Sequence, residues 1–302
     1  MLLAGTDLRL LKVFDAVVRH GGFSAAQIEL NVGMSTISNH ITALEQRLGV
    51  SLCRRGRGGF KLTETGEVVH LEAQKLLATL DEFSARVGAL KGQMVGTLRI
   101  GIVDATATDP NNLLHRAIES FLARPSAIRF EVRQCAPQDL QENLLRGQFD
   151  LAIGSFPHKA AGLVYTPLYR ETHSLYCAAA HRLFAKPEAA LSLKDLQRER
   201  AVGRGYWRDQ HNAALGFDNI GAVVFEIEPQ LILIRSGAFV GFLPEHFAKP
   251  WVEAGALRCL SPVAPSFDVG FDLVAKRGAA MSQAASVFAA TLLKTFSAAA
   301  LD

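Results

Sequence analysis

The sequence predicts an α/β protein in three parts: a small N-terminal unit of short helices and a basic hairpin, one long connecting helix, and a larger two-lobed α/β domain. Three observations carry this. Apolar residues recur at helical spacing over the first fifty positions, with turn residues between the runs. Glu67 to Val87 contains no Gly or Pro, and beyond Gly96 strand-like apolar segments alternate with helical ones. The chain, 302 residues and 32.7 kDa, is about twice the usual single-domain size, and with 49% hydrophobic and 20% charged residues it can bury several cores.

In chain order, Leu8, Leu11, Phe14, Val17 and Val18 mark a first helix that His20-Gly21-Gly22 stops. Ser24 is placed to cap a second helix ending at Leu30, and Asn31-Val32-Gly33 turns the chain into a third, about 35–48. Ile37, Ile41, Leu44 and Leu48 give that helix a buried face, which leaves Ser35, Thr36, Ser38, Asn39 and His40 pointing outward. Two short helices joined by a three-residue turn, followed by a small alternating segment, are the parts of a winged helix-turn-helix. The third helix is then the reading helix, with short polar groups suited to base edges or phosphates.

Charge supports this. Residues 1–63 hold eight basic against four acidic side chains, whereas the rest of the chain holds 24 against 25. Arg54, Arg55, Arg57 and Lys61 fall on a Gly-rich stretch without an acid, the composition of a wing that meets phosphate. In the long helix, Val69, Ala73, Leu76, Leu80, Phe83, Val87 and Leu90 form a heptad stripe expected to dimerise, with Gly88, Gly92 and Gly96 breaking the helix.

Strands are expected at 98–103, 128–132 and 151–154, separated by helices at 111–122 and 138–146, and later strands at 174–179, 223–226, 240–243 and 271–275. A parallel sheet in each of two lobes follows from the alternation, with a ligand cleft beyond the strand ends. The turns there supply Asp104, Thr106 and Thr108, then Ser155, Phe156 and His158, then Arg204, Tyr206 and Trp207. Asp109-Pro110 is expected to open the helix after the first strand, and Glu228-Pro229 to open another helix as a further contact.

Enzyme classes find little support. The chain has no HExxH, GxSxG, GxxxxGK[ST] or strand-following GxGxxG motif. Cys53, Cys135, Cys177 and Cys259 lie 82, 42 and 82 residues apart, outside any zinc-ligand spacing, and the nine histidines are scattered, so neither metal nor cofactor is expected. The sixteen uncharged residues from Gly278 to Leu293 are too few and too polar to span a bilayer, and the N-terminus carries no export pattern, so a cytoplasmic location is expected.

Several motifs carry a family resemblance: Phe23-Ser24-Ala25-Ala26, Leu30-Asn31-Val32, Ile37-Ser38, Leu44-Glu45 to Leu48-Gly49-Val50, Leu52-Cys53-Arg54-Arg55, and Leu62-Thr63-x-x-Gly66. Their order and spacing resemble the N-terminal signature of LysR-type transcriptional regulators. Further on, Leu145-Arg146-Gly147-x-Phe149-Asp150 to Ile153 and Gly237-x-x-x-Gly241-Phe242-Leu243-Pro244 resemble the same family's effector domain. The resemblance implies a winged helix-turn-helix over 6–63, a dimerising linker helix over 64–90, and a periplasmic-binding-protein-like effector domain over 91–302. Lobe I would be about 97–165 with 268–302, and lobe II about 166–267.

It also implies that Met34 to His40 enter the major groove of double-stranded DNA, that a homodimer or homotetramer forms, and that a small organic effector controls it. This chain departs from the family at Gly33, Met34 and Ser35, where a polar cap, Gln and Pro are usual, and at Asn39, often Arg. Gln27 stands in place of a small residue and Cys53 in place of Phe. Two other readings compete: a thiol-based redox regulator, and a bilobed solute-binding protein or enzyme, for which the basic first sixty residues have no use.

Overall fold

The computed structural model describes residues 5–56, 59–90, 94–206, 216–217, 219–261, 263–278 and 281–299. The chain divides into two compact units, 1–96 and 97–302.

In the first unit, α1 (Gly5–Arg19), α2 (Phe23–Leu30) and α3 (Met34–Leu48) are followed by a hairpin of β1 (Cys53–Gly56) and β2 (Gly59–Leu62) and by the long helix α4 (Glu64–Leu90). Phe14, Ala26, Ile37, Ile41, Leu44 and Leu52 form its core, each 0 or 1% exposed. The expected helix stripe is therefore the buried one. Polar groups at the chain's bends hold the elements in place. Glu45 accepts from the Leu52 amide at 2.7 Å and so fixes where β1 begins. Thr63 caps α4 by accepting from the Gly66 amide at 2.9 Å, and donates to the Ser51 carbonyl at 2.7 Å. Gly66 has to be glycine, because a Cβ there would overlap the Leu52 carbonyl oxygen.

Two expectations for this unit need correcting. Ser24 is not a cap: α2 starts one residue earlier, Gly22 holds the cap position, and Ser24 lies inside the helix. Gly88 does not break α4, which runs through it to Leu90. In the expected heptad stripe, Ala73 is 3% exposed in the unit's own core, and Val69 and Leu76 are partly buried against that core. The lower stripe differs, with Phe83 65% and Val87 39% exposed.

The second unit is built on a seven-stranded sheet in the order β10-β6-β11-β5-β3-β4, with β9 also paired to β6. Its elements are β3 (Met94–Ile102), α5 (Leu114–Leu122), β4 (Ser126–Gln134), α6 (Pro137–Leu145), β5 (Leu151–Gly154), β6 (Leu163–Ala178), α7 (Leu193–Gln197), β7 (Arg200–Arg204), β8 (Asn219–Val224), α8 (Ile227–Arg235), β9 (Gly241–Pro244), α9 (Glu245–Glu253), β10 (Leu257–Cys259), β11 (Phe267–Lys276) and α10 (Gln283–Ala299). Strand β6 joins the lobes: its first eleven residues pair with β11, and Ser174 to Ala178 pair with β9 and β10.

The sheet is mixed rather than parallel. β3 pairs with β5 and β7 with β8 in parallel, whereas β11 enters antiparallel to both β5 and β6. Lobe I packs around Leu140, Leu144, Phe149 and Phe271, and lobe II around Leu175, Phe242, Ile227 and Leu243. Gly237 ends α8 at φ 78°, a left-handed conformation next to Ala180 that other L-residues resist. Helix α5 begins at Leu114, not at Asn111, since Asp109 and Asn112 turn their side chains onto the amides of Asn111 and Leu114 at 2.8 and 3.0 Å. Asp109 therefore closes a local turn instead of capping the helix.

Candidate nucleic-acid interface and effector cleft

Asn31, at φ 51°, makes the turn that sets α2 against α3. Gln27, one of the departures from the family pattern, supplies the cap that Gly33 lacks. Its side-chain oxygen accepts from the Met34 amide at 3.1 Å, while its amide nitrogen donates to the Ser24 carbonyl at 3.2 Å. Sequence spacing missed this role because the capping side chain comes from the preceding helix. Along α3, Met34, Ser35, Thr36 and Asn39 are exposed. Ser38 and His40 are half-buried, and the His40 Nδ1 is enclosed without a hydrogen-bond partner.

The hairpin stands beside α2, with Phe60 meeting Phe23 edge-to-face at 5.7 Å. Arg54 and Lys61 are directly opposed across it and exposed, and neither pairs with an acid among the described residues. Like charges so placed repel, and an anion between them relieves the repulsion. The backbone of Arg55 pairs with Phe60; Arg57 lies outside the described residues. Ion pairs brace the unit behind this face. Asp7, 1% exposed, is held by Arg47, and Arg19 joins Asp15 to Glu29. Arg19 holds the Glu29 carboxyl down to about 2, more than offsetting burial, with His20 assisting.

In the second unit a narrow cleft of about 20 Å³ lies where strand ends of both lobes meet, lined by Asp104, Ser155, Glu171, His173, Arg204 and Tyr206 among others. Asp104 is the tie. Its carboxylate accepts twice from the Arg204 guanidinium, at 2.7 and 2.8 Å, and from the Ile227 amide at the start of α8, at 2.6 Å. The free amide of that helix is thus already satisfied from within the chain. Arg204 is 4% exposed, lies over the Tyr206 ring at 4.7 Å, and keeps its Nε buried without a partner.

Glu171, 5% exposed, accepts from His173 Nε2 at 2.6 Å and from His246 Nε2 at 2.8 Å. Burial raises its pKa, but those two hydrogen bonds outweigh it and hold the carboxyl down to about 2. Neither Glu171 nor His173 was a sequence candidate, because both lie mid-strand on β6, where the pattern signals only packing.

Of the expected cleft residues, the structure brings together Asp104, Ser155, Arg204 and Tyr206. Phe156 is instead a core residue of lobe I, edge-to-face with Tyr165 at 5.6 Å. His158, Glu228 and Pro229 are exposed on the outside of their turns and do not line the cleft; Ile227 does. Thr106 is buried beneath a short 3-10 turn, where its carbonyl accepts from Asn112 at 2.9 Å. Thr108 lines a different pocket, beside His246. Trp207 lies outside the described residues. The thiol reading gains nothing, because burial pushes Cys177 up to about 11 and also raises Cys135, the opposite of an activated thiolate.

Family comparison agrees with both units. The model of the bacterial regulatory helix-turn-helix protein of the lysR family matches residues 8–67, and the LysR substrate binding domain matches 91–297. The chain is a LysR-type transcriptional regulator. Among relatives, the regulator is 34% identical over 273 residues to the HTH-type transcriptional activator BauR of Pseudomonas aeruginosa, covering 90% of each chain. Its fold resembles full-length CbnR complexed with its target DNA (TM-score 0.60, 21% identity, 95% and 99% of the two chains). It also resembles full-length LysG from Corynebacterium glutamicum with bound effector Arg (TM-score 0.54, 20% identity, 96% and 98%). As a member of this family it is a DNA-binding regulator with an effector-binding domain. Among the described residues no helix is long and apolar enough to cross a membrane.

The buried Asp104–Arg204 pair yields a direct test. Asp104→Ala leaves the guanidinium buried and unpaired and should lower stability by about 3 to 5 kcal/mol in urea unfolding, whereas the joint replacement Asp104→Leu with Arg204→Met should recover most of the loss.

Proposed function

We propose that the regulator binds its operator with α3 in the major groove and with Arg54 and Lys61 of the hairpin on phosphate, as a homo-oligomer in the cytoplasm, under control of a small zwitterionic effector. The observation that carries the DNA arrangement is the pairing of an exposed polar helix face with an exposed, uncompensated basic hairpin on one small core. Thr36 and Asn39 are the base-reading side chains in this arrangement, with Ser38 and His40 at its edge, and Met34 supplies apolar contact. Ser35 is placed for a phosphate. Fluorescence anisotropy on DNA from the regulator's own promoter region tests it. Arg54→Ala and Lys61→Ala should each reduce the salt slope by about one counterion, while Gln27→Ala, which uncaps α3, should weaken specific binding and leave that slope unchanged.

The effector reading rests on the cleft's chemistry. Arg204 keeps one buried donor in reserve for a carboxylate, Asp104 and Glu171 offer acceptors to an ammonium group, and Tyr206, Val269 and Phe271 cover the space between. The bound arginine named for LysG is a ligand of this chemistry. A thermal-shift panel should single out amino acids over simple carboxylic acids and simple amines, since a ligand that binds the folded state raises its melting temperature. Ser155→Ala should weaken the best binder several-fold in calorimetry. A panel in which monofunctional acids stabilise equally well would remove the zwitterion reading.

For the oligomer, the exposed apolar residues on the lower half of α4 are the candidate seam. Phe83→Glu should raise the dimer dissociation constant in sedimentation by at least about tenfold without loss of helicity, because Phe83 is 65% exposed in its own unit.

A further inference from the structure

Three side chains that sequence spacing keeps 62 and 75 residues apart converge beside β6. Asp109 follows the short turn after β3, Glu171 lies on β6, and His246 is in the first turn of α9; one ligand atom from each lies within 4.8 Å of the others. His246 Nε2 is 2.8 Å from Glu171 Oε2 and 3.8 Å from Asp109 Oδ2. Both carboxylates are about nineteen-twentieths buried, at 5% exposure each. Asp109 Oδ1 accepts from the Asn111 amide, but Asp109 Oδ2 is buried, aimed into the cluster, and has no hydrogen-bond partner. At 3.8 Å it is too far from the imidazole for a hydrogen bond, and an ionised oxygen left this way is costly.

We propose that Asp109, Glu171 and His246 form a divalent metal site for an ion of the zinc, cobalt or nickel type. A proton on His246 Nε2 satisfies Glu171 alone, whereas a cation among the three atoms satisfies Glu171, Asp109 and the imidazole together. The distances suit it. Ligand atoms about 2.1 Å from a tetrahedral ion stand about 3.4 Å from one another, between the 2.8 and 3.8 Å that separate His246 Nε2 from the two carboxylates.

The outer partners are also in place. His246 Nδ1 lies 2.9 Å from the Thr108 hydroxyl, which can accept its proton while donating to the Ala105 carbonyl at 3.4 Å. This presents the Nε2 lone pair to the ion, as the outer hydrogen bonds of metal-bound histidines do. One imidazole nitrogen among two carboxylates disfavours magnesium and calcium, which take oxygen sets of six or more. Three protein ligands leave a fourth position for water or an anionic ligand, facing the pocket that the cluster shares with Tyr176 and Lys249. The ligands come from three different elements, and Glu171 also lines the cleft, so the ion would fasten the lobes in one arrangement.

The test uses the full-length regulator with any affinity tag removed, stripped with a chelator and dialysed against Zn²⁺ or Co²⁺. One equivalent of ion per chain is expected, with a rise in melting temperature and, for Co²⁺, visible absorption from an imidazole–carboxylate site. Asp109→Asn and His246→Gln should each weaken binding by at least about tenfold while remaining folded without metal; Asp109→Asn should be no less stable than the parent, since it removes a buried uncompensated charge. Absence of a stoichiometric ion, or binding that persists in both variants, would overturn the proposal. The zwitterion panel does not involve the ion, so the two readings fail separately.

Discussion

The effector domain turns on the side chain of Asp104. One carboxylate at the end of β3 neutralises Arg204 from the end of β7 and caps α8, so two strand ends and a helix terminus from opposite lobes share a single anion. An unpaired guanidinium at 4% exposure would be untenable, so the lobe arrangement and the ion pair require each other. Desolvating the pair costs about as much as its attraction returns, so it specifies how the lobes meet more than it adds to stability. A ligand that supplies a better carboxylate to Arg204 competes with Asp104 on nearly equal terms. This is the condition under which a weakly held small molecule can shift a balance between two arrangements.

The DNA-binding unit solves a different problem, that of helix ends in a small core. Gln27 serves the start of α3, Glu45 the start of β1 and Thr63 the start of α4, each taking a backbone amide that would otherwise have no partner. With those amides satisfied, the unit presents Ser35, Thr36 and Asn39 of α3 on its exposed face.

How much was legible follows from where each signal is stored. The helices of the first unit were plain because Ile37, Ile41 and Leu44 repeat within one element, and each is buried. Residues at the ends of β3, β5 and β7 were found for the same local reason: Asp104, Ser155, Arg204 and Tyr206 end or follow apolar runs. Glu171 and His173 were invisible because a polar residue mid-strand signals nothing until the neighbouring strands are placed. Asp109 was read as a helix cap because Asp-Pro before a helical run has that appearance, while the structure turns its Oδ1 onto the Asn111 amide and leaves Oδ2 without a hydrogen-bond partner. The heptad stripe on α4 could not reveal that its upper half packs against the chain's own core, since periodicity records which side of a helix is apolar and not what covers it.

That division of α4 has a mechanical consequence. Ala73 is sealed in the core beneath α1 and α3, and Val69 and Leu76 pack against it, so the first turns of α4 are welded to the same core that carries α3. A torque applied to the exposed lower turns near Phe83 cannot be lost at a joint within this unit. It reaches α3 as a rotation of the whole core, so α4 works as a tiller for the helix-turn-helix unit.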